Sequence, residues 1–380
     1  MIVDRQKSTN KHSAARQVAG GMLPTRKKEG FNGMKSWQQF WRQLFLFGLL
    51  ALTLTGCGIQ ELSALKPQGP VAAMQFDLMK LSFSIMIGVF IVVILILTYV
   101  LIRYRKRPGQ EGIPKQVEGS HTLEILWTAI PFLLLIIMAI PTVTTGFALS
   151  KEYDNKEALQ VNVTAHQFWW EFEYPDLGVA TAQDLVLPVG KKIQFTLNSA
   201  DVIHAFWIPA LGGKIDTNPG LENKMWLQAD RTGTFYGKCA ELCGASHALM
   251  DFKVEVMEQA DFDKWAQKMK TVQSADPKKA TASAAEGQAI FEKSCLGCHA
   301  VAGKGGKLGP NLTNFADRMR VAGIKPNERK YLEEWLKDPQ KMKPGNNMPN
   351  LNLSDDQVNA LVDYLYTLSV KDEAKDENKQ

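Results

Sequence analysis

At 380 residues the chain has room for two or three domains, and its 45% hydrophobic and 22% charged residues suit folded or membrane-embedded protein. The formal charge of +5 is uneven: residues 1–56 hold nine Lys/Arg against two Asp/Glu, a net +7, which leaves −2 for the rest. That distribution excludes a basic, nucleic-acid-binding body, because the positive charge belongs to a segment that export would remove.

Residues 1–33 are polar and aperiodic, and read either as a tail or as sequence upstream of a true start at Met34. Lys35 and Arg42 then precede an apolar run from Leu44 that ends in Leu54-Thr-Gly-Cys57. This is the pattern of a bacterial secretory signal whose cleavage leaves a cysteine for lipid attachment, so residues 1–56 are assigned to tail and signal and Cys57 to lipidation.

Residues 57–150 form a predicted membrane hairpin. Leu81–Ile102 and Ile125–Phe147 are 22 and 23 residues without a charge. At roughly 1.5 Å per residue, each crosses a hydrocarbon layer of about 30 Å. Two buried core helices would rarely be so long and so free of charge. Between the spans lie Arg103, Arg105, Lys106, Arg107 and Lys115, which mark a cytoplasmic loop and place both ends of the hairpin outside. Glu124 opens the second span. It is either a carboxylate favoured by the helix dipole or a group on a proton route.

From residue 151 to 258 short β-rich runs alternate with turn signals, predicting an all-β sandwich or barrel. Val161–Tyr174 is dense in β-branched and aromatic residues, including Phe168, Trp169 and Trp170, which supply either core or an aromatic surface where electrons enter. Then comes Cys239-Ala-Glu-Leu-Cys243-Gly-Ala-Ser-His247-Ala-Leu-Met250. Two thiolates, an imidazole and a thioether in one loop are soft ligands suited to copper. His204, in the strand-like Asp201–Trp207, adds a second imidazole. Two cysteines four apart can bridge a metal pair, leaving one histidine for each metal and Met250 and a backbone carbonyl as weak outer ligands. That is the constellation of the binuclear copper centre CuA, a one-electron carrier. His166 reads as structural. As bare chemistry the Glu241 side chain reads as solvated, with a hard ion such as Mg²⁺ the alternative for its carboxylate.

Residues 259–285 read as a helix and a small, polar linker, residues 286–370 as an all-α domain, and residues 371–380 as a charged tail. Helices are expected over Glu286–Ser294, Asn327–Lys337 and Ser354–Leu368, the last opened by a capping box of Ser354 with Gln357. Cys295-Leu-Gly-Cys298-His299 is the attachment signature of a c-type haem, with His299 as iron ligand. Met348, in a loop held extended by prolines and a glycine, is the expected sixth ligand; Met319, Met342 and Met257 stand in less suitable contexts. His/Met ligation raises the haem potential. All five cysteines are thus assigned and none remains for a disulfide.

From Cys57 to about Val370 the chain resembles subunit II of haem–copper cytochrome c oxidases, in the branch with a cytochrome c domain fused to the C-terminus. The residues that carry the resemblance are Thr122–Thr128, Gln167-Phe-Trp-Trp170, Asp201-Val-Ile-His204, Gly213–Gly220 and the cysteine loop. It implies a two-helix transmembrane hairpin, a cupredoxin-like sandwich and a class I cytochrome c domain. It implies CuA ligands His204, Cys239, Glu241 through its carbonyl, Cys243, His247 and Met250. It makes Glu241 a Mg²⁺ ligand at the interface with subunit I, and Glu124 the start of the K proton pathway. The expected partners are catalytic subunit I, subunit III and an external electron donor. The expected place is the bacterial inner membrane with both soluble domains outside. One departure stands out: relatives fed by a separate cytochrome have tryptophan where this chain has Phe168. Rival readings of the same motifs are the CuA subunit of a nitric oxide reductase and a copper-delivery or thiol-redox lipoprotein.

Overall fold

The computed structural model describes residues 32–53, 58–109, 111–113, 116, 118–273 and 281–370. Cys57, the polar residues 1–31, the linker centre 274–280 and the tail 371–380 lie outside the described residues. The chain divides into two units, Met1–Cys57 and Gly58–Gln380. In the first, the apolar run is a helix, α1 (Asn32–Thr53).

The second unit begins with two long apolar helices, α2 (Pro70–Arg103) and α3 (His121–Leu149). Proline at the first turn of α2 costs nothing, since its missing N–H would have had no partner there. At 34 residues α2 is about 51 Å long, well beyond the ~30 Å needed to span a bilayer. Its first turns are anchored instead: Val71 and Ala72 are buried, and Ala72 N–H donates to the Leu211 carbonyl at 3.1 Å. At the end of α3, Trp226 Nε1 donates to the Ala148 carbonyl at 3.1 Å. The apolar middles of both helices are exposed to their surroundings, as a lipid-facing surface requires.

Ten strands then build two five-stranded sheets: β1 (Leu159–His166), β2 (Trp169–Tyr174), β3 (Val179–Ala182), β4 (Asp184–Pro188), β5 (Ile193–Ser199), β6 (His204–Trp207), β7 (Ile215–Thr217), β8 (Asn223–Leu227), β9 (Gly233–Cys239) and β10 (Asp251–Met257). Their orders are β3-β2-β1-β5-β8 and β4-β10-β9-β6-β7. Alternate residues of β1 and β2 are buried, so each strand gives one face to the core between the sheets. Aromatic rings fill that core; Phe206 and Phe252 stack with centroids 5.0 Å apart. This is a curled, cupredoxin-like sandwich. The run Val161–Tyr174, read as one β segment, is a hairpin: β1 and β2 pair antiparallel and His166 faces Trp169 across the turn at Gln167–Phe168. The turn holds no glycine, proline or asparagine, so it left no signal in the sequence.

Helix α4 (Gln259–Gln273) follows, and Trp265 packs edge-on to Tyr174 at 5.5 Å. The C-terminal domain consists of α5 (Ala282–Ser294), α6 (Arg329–Lys337), α7 (Pro339–Met342), α8 (Asp355–Leu365) and two very short hairpins. Helix α5 starts four residues before the expected Glu286. The Thr281 hydroxyl accepts the Ala284 N–H as an N-cap, and the alanine-rich stretch read as linker is also a good helix former. The predicted capping box is present at Ser354 and Gln357. Helices α5 and α8 cross at Gly287, where a Cβ would stand 1.9 Å from the Ala360 carbonyl oxygen; only glycine permits that approach.

Candidate metal centres

The loop from β9 to β10 gathers its sulfur and nitrogen atoms because both ends are fixed by the sheet. Cys239 closes β9 opposite Phe206 of β6, the strand that begins with His204. His204 Nδ1 is 3.8 Å from Cys239 Sγ. A single 3₁₀ turn, His247–Leu249, brings residues three apart onto one side, so His247 and Met250 face the same way. Cys243 Sγ lies 3.7 Å from His247 Nδ1 and 3.8 Å from Met250 Sδ. The two sulfurs are 3.9 Å apart, less than twice a metal–thiolate bond of about 2.3 Å (the zinc value), so both can bind the same metal. The Glu241 carbonyl oxygen is 3.2 Å from Cys239 Sγ. His204 and the Glu241 carbonyl thus lie beside the Cys239 sulfur, and His247 and Met250 beside the Cys243 sulfur. This donor set fits a copper pair.

Burial and charge prepare these groups for a cation. His204, Cys239, Cys243 and Met250 are buried. The two thiols share a proton: the hydrogen bond from Cys243 holds the Cys239 pKa down, with His204 assisting, and the same sharing pushes Cys243 up. Burial alone would lower the His204 pKa, but hydrogen bonds to Asp201 and Cys239 raise it overall. The Asp201 carboxyl is held low against its own burial by His204 and by the backbone N–H groups of Val202 and Gln167.

In the C-terminal domain, Cys295, Cys298, His299 and Met348 line one cavity of about 420 Å³. His299 Nδ1 donates to the Pro310 carbonyl at 2.9 Å, which leaves Nε2 free for a metal, and burial lowers its pKa so that the neutral ligand form prevails. Among the four methionines weighed for the opposite side, Met348 lines this cavity and Met257, Met319 and Met342 do not. Paired cysteines, an oriented histidine and a thioether around an apolar space fit a covalently bound haem. One wall of the cavity comes from the β domain: Gln167, Phe168 and Trp169.

The aromatic run is divided between roles. Trp170 is fully buried and meets the His204 ring at 6.1 Å; Phe168 is buried; Trp169 is half-buried and stacks on His166 at 4.0 Å. His166 stands apart from the sulfur cluster in that stack, beside Glu171 at 3.6 Å. Glu124 is exposed in the first turn of α3, 3.7 Å from His121. Sequence reading gave no role to Asp201, whose Oδ1 lies 2.8 Å from His204 Nε2, or to Gln167, whose side-chain amide donates to the Cys243 carbonyl at 2.5 Å. The Asp201–His204 spacing was a usable signal; the Gln167–Cys243 contact spans 76 residues and left none.

Family models match three stretches of the chain: the cytochrome c oxidase subunit II transmembrane domain at residues 65–145, its periplasmic domain at 178–257, and cytochrome c at 284–369. Cytochrome c oxidase subunit 2 of Bacillus sp. (strain PS3) is 50% identical over 351 residues, covering 87% of this chain and 98% of that one. The subunit 2 of Alkalihalophilus pseudofirmus is 47% identical over 345 residues, covering 89% and 99%. A solved periplasmic domain of cytochrome oxidase subunit II from Bradyrhizobium japonicum is 35% identical with a TM-score of 0.30, covering 32% of this chain and 98% of that one. With its apolar hairpin, cupredoxin-like domain and cytochrome c domain in one sequence, the chain belongs to the cytochrome c oxidase subunit II family and is a subunit of an oxidoreductase complex.

Proposed function

We propose that this chain is the subunit through which electrons enter a respiratory oxidase, from an external donor to the fused haem domain, then to a copper pair, then to the haem of catalytic subunit I. One observation carries the reading: the cavity lined by Cys295, Cys298, His299 and Met348 has as one wall the Gln167–Trp169 turn, which is hydrogen-bonded to the copper loop. Copper and haem, when bound, supply one-electron transfer. Cys239, Cys243, His204, His247, Met250 and the Glu241 carbonyl would hold the copper pair. Asp201 fixes the ring of His204 and so limits rearrangement between oxidation states. Phe168 and Trp169, on the cavity wall, are where electrons reach the copper domain, while buried Trp170 packs beneath. Cys295 and Cys298 would tether the haem, and His299 and Met348 would hold its iron.

The rest of the assignment follows the family. The Glu241 carboxylate serves Mg²⁺ at the subunit I interface, Glu124 takes up protons for a pumping oxidase, and subunit III completes the assembly. The hairpin lies in the bacterial inner membrane with both soluble domains outside, and Cys57 is the lipid anchor.

Metal analysis of the purified chain should give a copper pair and a single iron, with a mixed-valence copper EPR spectrum that Cys239→Ser abolishes while the haem spectrum persists. A single copper, or zinc, in place of the pair would sink the reading.

A further inference from the structure

The two loops that carry the candidate ligands touch each other. Ser246, fully buried and adjacent to His247, donates its hydroxyl to the Pro344 carbonyl at 2.6 Å. Pro344 lies in the loop that leads to Met348. On the other side of that segment Lys343 is buried and donates its ammonium to the Ala322 carbonyl at 2.8 Å. Gly345 comes so close to the copper loop that a Cβ there would stand 3.3 Å from the Ala245 Cβ and 3.7 Å from the Phe168 ring. Its φ of +76°, in the left-handed region, favours glycine here. A buried hydroxyl is costly to leave without a partner, and this one finds its acceptor in the other domain.

We propose that Ser246 is the positioning residue of a direct junction between the two cofactor loops. It holds Lys343–Gly345 on the copper loop, so that electrons cross at this contact without a diffusional encounter. The inference rests on the copper–haem reading above. With haem and copper bound, the contact would serve a one-electron transfer from one to the other in which no bond or proton moves. A docked domain raises the effective concentration of donor at acceptor, and a fixed contact also sets one geometry for transfer.

The test uses Ser246→Ala in the full chain within its assembled oxidase. Hydrogen exchange at the amides of Lys343 and of residues 345–348, followed without turnover, should speed up about 10-fold, the loss of one hydrogen bond of ~1.4 kcal/mol. Haem-to-copper transfer after flash reduction should slow, with both absorption spectra unchanged. Unchanged exchange or unchanged transfer would overturn the junction. So would an altered copper spectrum, which would assign the serine to His247 instead. Wild-type protein lacking either spectrum would overturn the copper–haem reading itself, a separate outcome.

Discussion

Asp201 Oδ1 lies 2.8 Å from His204 Nε2 and thereby turns the ring so that Nδ1 faces the Cys239 sulfur. The same carboxylate accepts the Gln167 backbone N–H at 2.6 Å, so one aspartate orients a ligand and ties the aromatic turn to it. Carboxylate partners of metal-binding histidines commonly contribute 10–100-fold in affinity, and Asp201→Asn should weaken copper binding by about that factor. Competition with a copper chelator measures it. A change confined to thermal stability, with copper affinity intact, would reduce Asp201 to a structural role.

Met348 is the thioether placed in the cavity with His299. Replacing it by histidine should lower the haem potential, since a thioether favours the reduced iron more than an imidazole does. Met342→Leu, outside the cavity, should leave the potential where it was. Redox titration of the haem band distinguishes the two, and the opposite ranking would move the ligand.

At the boundary between the soluble domains, Asp184 Oδ2 accepts the Met319 N–H at 3.1 Å. Burial pushes its carboxyl from 3.8 up to about 6, against the lowering effects of that hydrogen bond and of Arg318. An acid whose folded pKa is raised binds its proton more tightly when folded. It therefore stabilises at low pH, and that contribution is lost as pH rises from 3.8 to about 6. At ~1.36 kcal/mol per unit the loss is at most roughly 3 kcal/mol. The stability of wild type relative to Asp184→Asn should thus decline across this window in denaturant titrations. A difference that stays constant with pH would contradict the assignment.

Gly287→Ala should destabilise the C-terminal domain by at least ~2 kcal/mol, because the added methyl meets the Ala360 carbonyl and α5 must move off α8. Thermal unfolding followed through the haem spectrum reads this directly. An unchanged Tm would show that the helix crossing has slack.

Features written in short spacings were legible in advance. The loop cysteines stand four positions apart, the haem signature is contiguous, and charge-free runs of bilayer length need no tertiary information. The fold class followed from the same local patterns: alternating burial in β1, the capping box before α8, and the long apolar α2 and α3. The β1–β2 turn was not legible because its residues carry no turn preference. The start of α5 was missed because an alanine-rich segment has the composition of both a linker and a helix.

The sequence by itself determined which donor atoms the chain brings and which segments are apolar enough to meet lipid, because ligand chemistry and hydropathy belong to residues singly or a few apart. Only the tertiary structure decided which donors meet. His204 and Cys239 are 35 residues apart, Gln167 and Cys243 are 76, and Ser246 and Pro344 are 98. Such contacts arise when sheets and helices bury their apolar faces, and no local pattern encodes them. The Met348 loop lies against the cysteine loop because two domains pack there.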